Sequence, residues 1–241
     1  MSKLLSIFKR RRAGLSASVV VVAAGTASRM QGIDKILAPL GEVPILVRTL
    51  KAFQACSDVA EIVVVTREDL LVEIGRLCKD FSLDKVSKIV VGGAQRVLSV
   101  RAGLREVSRD AQLIAIHDGA RPFLSAQVLN EVLHQAAASG AAAPAIAVND
   151  TIKRADNGIV EETVDRSCLW AVQTPQVFQA DLIRAAVEKA ATDQAEVTDD
   201  CSAVERLGMK VVLTAGDREN IKVTTPFDLI LGEAILKERG E

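Results

Sequence analysis

With 241 residues, 49% of them hydrophobic and 25% charged, the chain suits one large α/β domain, or one carrying a small appendage, around a substantial core. Its 30 basic and 31 acidic residues leave a net charge of -1, which excludes nucleic-acid binding by bulk positive charge. Aromatic residues are 3%, with no Tyr and a single Trp, too few for a platform that stacks single-stranded bases.

At the N-terminus, residues 1–16 place Lys9, Arg10, Arg11 and Arg12 after a short apolar segment. That is the reverse of a secretory signal, so a basic, solvated tail is expected. The remainder, 17–241, reads as one domain in which apolar strands alternate with amphipathic helices. A buried strand over 18–23 is followed by a helix over 44–55. Strands over 61–66, 88–91 and 113–117 then alternate with helices over 69–79 and 95–107. A helix over 126–138, with Ser125 as N-cap, runs into a buried strand over 142–148. Helices over 181–192 and 199–207 come next, the second capped by Thr198. A strand over 210–214 leads to a last helix over 226–238, with Thr225 as N-cap and Pro226 at its first position. The alternation predicts a mostly parallel sheet with helices on both faces.

One segment breaks the pattern. Thr151 to Thr163 carries short β-like pieces on either side of Asp156-Asn157-Gly158, a strong hairpin signal. Its Lys, Arg and Glu side chains keep it out of the core, so it should protrude. A lone hairpin is marginal in water, and a second copy of the chain is the simplest thing for it to pack on.

The stretch richest in chemistry is 19–35, VVVVAAGTASRMQGIDK. After the strand, Ala23, Ala24 and Gly25 let the backbone approach a ligand, and Arg29 and Lys35 bring positive charge. The expected ligand is a polyanion such as a nucleoside triphosphate. An ordinary strand-to-helix turn with a solvated Arg and Lys is the plainer reading. A Walker loop is excluded because no Gly-Lys pair follows Gly25, and a dinucleotide loop because Ala27 replaces its second glycine.

Asp118, in HDGARP, stands at the carboxyl end of a strand, where open α/β sheets bind ligands and where a carboxylate is a natural Mg²⁺ ligand. An Asp capping the turn before Gly119 is the alternative. His117 reads as a packed residue and Arg121 as a planar grip for phosphate. Gly92 and Gly93, followed by Arg96 and Ser99, open a second bare-backbone edge suited to a nucleobase. Arg166 beyond the hairpin and Thr174 before Pro175 can grip an anionic second substrate, and Lys222 precedes the last helix. Each of these can equally be a surface charge or a turn. The four cysteines form no CxxC, the pattern of a reduced cytoplasmic protein without disulfides or a zinc site. Two histidines, His117 and His134, are too few for a His-based metal centre, and no apolar run approaches the length of a membrane span.

The motifs are stronger jointly than singly. AAGTASRM with Lys35, GGAQRVLSV, HDGARP, DTIKR, TVDRSCLW, QTPQVF, TDDCSAVE and RENIKVT run in order across nearly the whole chain past the tail. In this the sequence resembles the 2-C-methyl-D-erythritol 4-phosphate cytidylyltransferases of the non-mevalonate isoprenoid pathway. The resemblance implies a Rossmann-like α/β fold with a protruding β-arm at about 149–166, through which two copies form a homodimer. It implies condensation of CTP with methylerythritol phosphate, with Mg²⁺ and release of pyrophosphate, in the cytoplasm and without nucleic acid or stable membrane association.

By motif position, the resemblance implies that Arg29 and Lys35 stabilise the transition state and that Asp118 holds the metal. Arg166 and Lys222 would position the sugar phosphate, with Thr151 and Arg166 reaching into the partner's site. Ala23, Ala24, Gly25, Gly93 and Ser99 would contact CTP, and Arg121 and Thr174 would line the acceptor side. The chain departs from the family pattern at Val22, Ala27, Ser28, Ala94 and Gly119, and none of these removes a proposed catalytic charge. Ala27 puts the loop conformation in question, because alanine tolerates positive φ poorly. A cytidylyltransferase acting on another polyol phosphate, such as ribitol 5-phosphate, is the neighbouring alternative; DTIKR together with TVDRSCLW favours methylerythritol.

Overall fold

The computed structural model describes residues 15–25 and 34–240. All but the last two residues of the expected tail, and Arg29 of the first loop, lie outside the described residues. The first half of the chain forms β1 (Ala17–Val22), β2 (Pro39–Leu40), β3 (Val43–Pro44), α1 (Ile45–Gln54), β4 (Val59–Thr66), α2 (Leu71–Asp80) and β5 (Val86–Val91). Next come α3 (Arg96–Glu106), β6 (Leu113–Asp118), α4 (Ala126–Ser139), β7 (Ala141–Ala147), β8 (Ile152–Asp156) and β9 (Ile159–Val164). The remainder is β10 (Trp170–Val172), β11 (Gln176–Gln179), α5 (Ala180–Thr192), α6 (Asp200–Glu205), β12 (Val212–Ala215) and α7 (Pro226–Arg239).

Eight of the strands form one sheet. Val-rich β1 lies at its centre, parallel to β4 on one side and β6 on the other, with β5 parallel to β4 beyond. Burial on both faces is why β1 and the apolar stretches of β4 and β6 read as near-continuous apolar runs, whereas β5 at the edge is partly exposed. Alternate residues still divide between two cores: Val19 and Val21 of β1 face α1, α2 and α4, whereas Val20 faces α3, α5 and α6. A third, smaller core joins Leu40 of β2, Phe123 and Val223 to Ile235 and Leu236 of α7.

The mostly parallel, two-sided α/β sheet is as the alternation predicts, with one addition. Between β6 and β7 runs β11, antiparallel to both, and β10 continues along the same side of β7. The sequence reading gives Thr174, before Pro175, as a grip for an anionic substrate or part of a turn and has no strand over 170–179, because three- and four-residue strands carry almost no periodicity. The hairpin of β8 and β9 forms its own two-stranded sheet, largely exposed, and turns at Asn157 and Gly158, both with positive φ.

Ser125 caps α4, and Thr225 caps α7 in a reciprocal box with Asp228. The cap of α6 is one residue later than expected. Asp199, not Thr198, has the extended backbone of an N-cap and accepts from the Ser202 amide at 2.9 Å.

Candidate active site

The register of the sheet brings the site together. Val22 at the end of β1 pairs with Asp118 at the end of β6 and with Val65 near the end of β4. The chain runs from β1 outward to β4 and β5, then crosses to β6 on the other side. β1 and β6 therefore flank the point where strand order reverses, where open sheets leave a crevice for ligands.

A cleft of about 560 Å³ lies there. Its walls include Ala23, Ala24, Gly25, Lys35, Gly93, Ser99, Asp118 and Lys222, all from the sequence reading. They also include Arg67 and Arg96, which that reading does not assign to the site. The glycines are required by close packing: a Cβ on Gly92 would stand 2.6 Å from that of Ala24, and one on Gly93 would collide with Leu98. Ser99 accepts from the Gly93 amide at 3.1 Å, so its hydroxyl shapes the second loop.

Charge converges on Asp118. Its carboxylate is 2.6 Å from Arg96 Nη1, 2.9 Å from Lys222 Nζ and 3.5 Å from Arg121 Nε. Burial would raise this carboxyl, but Arg96, Lys222 and Arg121 hold it well below the usual carboxylate range. Arg96 spans a second carboxylate, with Nη2 2.7 Å from Asp200 Oδ2. Burial opposes the charge on Arg96, and Asp200 and Asp118 outweigh it, keeping the guanidinium cationic.

Two residues expected on the acceptor side, Thr174 and Arg121, pack and hydrogen-bond behind Asp118. Thr174 is buried; its hydroxyl accepts from the Asp118 amide at 3.1 Å and lies 3.0 Å from His117 Nδ1. His117 Nε2 lies 3.1 Å from the Arg121 carbonyl, which can only accept, so Nδ1 is the acceptor for Thr174. The ring is neutral, burial pushing its pKa down to about 4. Arg121 donates through Nη1 to the Asn220 carbonyl at 2.8 Å and does not line the cleft. Asn220, fully buried, donates to the Thr174 carbonyl at 3.0 Å, and the Val223 amide donates to the Ala120 carbonyl at 2.8 Å. These bonds stitch the loop before α7 to the end of β6, and so bring Lys222 onto Asp118.

Thr151 and Arg166 stand at the foot of the hairpin, exposed and absent from the cleft of their own chain; Arg166 donates to the Asn149 carbonyl. Arg96 is legible as a charge at a helix start, three residues after the Gly92-Gly93 pair. Asp200 offers no such signal, because an Asp in a first helical turn reads as helix electrostatics.

Fold and cleft together define a nucleotidyltransferase: bare-backbone loops and convergent cations at the switch point of a mostly parallel sheet. The family model for 2-C-methyl-D-erythritol 4-phosphate cytidylyltransferase matches residues 17–238, and the chain belongs to that family. The protein of that name from Halalkalibacterium halodurans is 44% identical over 223 residues, covering 92% of this chain and 97% of its own. That from Geobacillus kaustophilus is 43% identical over 221 residues, covering 91% and 96%. Among solved structures, the Thermus thermophilus protein of that name is 33% identical with a TM-score of 0.77, covering 92% of this chain and 99% of its own. A 4-diphosphocytidyl-2C-methyl-D-erythritol synthase from Anaerococcus prevotii, 29% identical, gives a TM-score of 0.82, covering 92% and 96%.

Proposed function

We propose that this cleft performs the reaction for which its family is named: transfer of the cytidylyl group of CTP to 2-C-methyl-D-erythritol 4-phosphate. The products are 4-diphosphocytidyl-2-C-methyl-D-erythritol and pyrophosphate. One observation carries the reading: the two small-residue loops, Lys35, Lys222 and Asp118 line a single cleft.

The acceptor phosphate is already a nucleophile, so attack on the α-phosphorus needs no general base and no covalent intermediate. The obstacle is repulsion between two anions and the charge that accumulates at phosphorus, and fixed cations in a partly desolvated cleft are the remedy. Ala23, Ala24, Gly25 and Gly93 offer backbone to the nucleotide, with Ser99 holding the second loop in shape. Lys35, together with Arg29 from outside the described residues, stabilises the transition state. Lys222 positions the incoming phosphate. Arg166 and Thr151, from the hairpin of a second copy, complete the acceptor side.

Asp118 fits a divalent cation carried in on the triphosphate. Mg²⁺ bound this way takes one or two protein carboxylates, the rest of its shell being phosphate and water. Among the described residues no group of three His, Cys, Asp or Glu could hold a metal without the nucleotide. Bound there, Mg²⁺ would neutralise charge on the triphosphate.

A homodimer is supported by apolar side chains exposed on and beside the hairpin: Ile159 is 74% exposed and Trp170, at its foot, 49%. Four free cysteines support work in a reducing compartment, the cytoplasm. We take 17–241 as one catalytic domain and the hairpin, at about 149–166, as its dimerisation arm. The test is release of pyrophosphate from CTP and Mg²⁺ with a panel of polyol phosphates. Turnover with 2-C-methyl-D-erythritol 4-phosphate well above ribitol 5-phosphate is expected; the reverse preference would overturn the acceptor assignment.

A further inference from the structure

We propose that Asp200 is a positioning residue for cytidylyl transfer, fixing the Arg96 guanidinium beside Asp118 so that its remaining N–H groups face the triphosphate. The proposal rests on the reading of the cleft as a CTP site.

Asp200 is 4% exposed and sits at the first position of α6, more than 80 residues from Asp118 in sequence. Its carboxylate is not needed to cap that helix. Asp199 already caps it, in a reciprocal box with Ser202. The amides of Asp200 and Cys201 both donate to Gln176 Oε1, at 2.9 and 3.0 Å, and Gln176 Nε2 donates to Asp199 Oδ2 at 2.7 Å. These bonds lock the start of α6 to β11 and leave the Asp200 carboxylate to meet Arg96 Nη2 at 2.7 Å.

A buried carboxylate is costly unless it is paired, so this one depends on the guanidinium it holds. The reverse dependence concerns function. Three cations already crowd Asp118, and with that anchor alone Arg96 could rotate about a single contact. Two carboxylates on two terminal nitrogens fix the plane of the guanidinium. Each terminal nitrogen keeps one further N–H beyond its bond to a carboxylate. Arg96 lines the cleft beside Gly93 and Gln95, so the fixed plane is presented to the nucleotide rather than to the acceptor arm. A cation pre-set in this way costs no reorganisation when the triphosphate arrives.

The test is steady-state kinetics on the full chain, with Asp200→Ala, Arg96→Ala and the double variant, together with the melting temperature of each. Asp200→Ala is expected to lower kcat/KM for CTP ~10-fold or more, with KM for the polyol phosphate changed less than ~2-fold. In the Arg96→Ala background the same substitution should add nothing, because Asp200 acts through Arg96. Asp200→Asn, whose amide oxygen can still accept from Arg96, should fall between the parent and Asp200→Ala. Should Asp200→Ala fail to fold, the same cycle is run with Asp200→Asn. Additive losses in the double variant would overturn the proposal, as would unchanged kcat/KM, or an equal loss toward both substrates that tracks melting temperature. A parent chain that releases no pyrophosphate would instead remove the CTP reading itself. Normal parental turnover with additive variants would remove this inference alone.

Discussion

At the scale of single residues, the site separates groups that face the cleft from groups that build it. Asp118, Lys35, Lys222 and Arg96 face it; Thr174, His117, Arg121 and Asn220 form the wall behind. His117 carries a measurable consequence of that wall. Its ring packs edge-on against Phe53, with centroids 5.0 Å apart, and burial takes its pKa from 6.5 to about 4. The unfolded chain therefore takes up a proton below pH ~6.5 that the folded chain refuses, so stability falls as pH drops from there toward 4 and is unaffected above. The loss amounts to about 3 kcal/mol over the window. Calorimetric melting between pH 7.5 and 4.5 should show this slope, and His117→Gln should flatten it. An identical slope in the variant would mean that other groups carry it.

At the scale of elements, packing against the sheet outweighs helix propensity. Gly103 lies inside α3, where alanine would gain about 1 kcal/mol of propensity. A Cβ there would lie 2.5 Å from Val20 Cγ1 and 2.8 Å from Val65 Cγ2, both in the central strands. Overpacking of this kind costs about 1–3 kcal/mol. Gly103→Ala should therefore lower the urea midpoint despite its better propensity, and a raised midpoint would contradict the close seating of α3. The same elements show what a sequence can disclose. The long strands and all seven α-helices of the described residues are legible to within about two residues, because burial on a fixed face imposes a period. β10 and β11 are not, being too short for any period, and the place of β11 between β6 and β7 depends on pairings across more than 30 residues.

At the scale of the molecule, the cleft of one chain is expected to be incomplete. Thr151 and Arg166 sit beside a hairpin outside their own cleft, and that hairpin exposes Ile159 and Val160. Deleting 152–162 should give a monomer by light scattering. It should still bind CTP, and turnover should fall by two orders of magnitude or more, about 3 kcal/mol of transition-state stabilisation. A monomeric deletion variant with full turnover would show that the hairpin contributes no residue to the chemistry.

From sequence alone came the alternation of strands and helices, the hairpin turn, the two bare-backbone loops and the charges at 35, 118 and 222, because each is written in local periodicity or in an ordered motif. The tertiary structure alone decided that Thr174 and Arg121 turn inward, and that Arg96 lies between Asp118 and Asp200. The physical reason is range. A strand or a cap is settled by neighbours a few positions away, whereas the partner of a buried charge is chosen by the register of a sheet joining segments far apart in the chain.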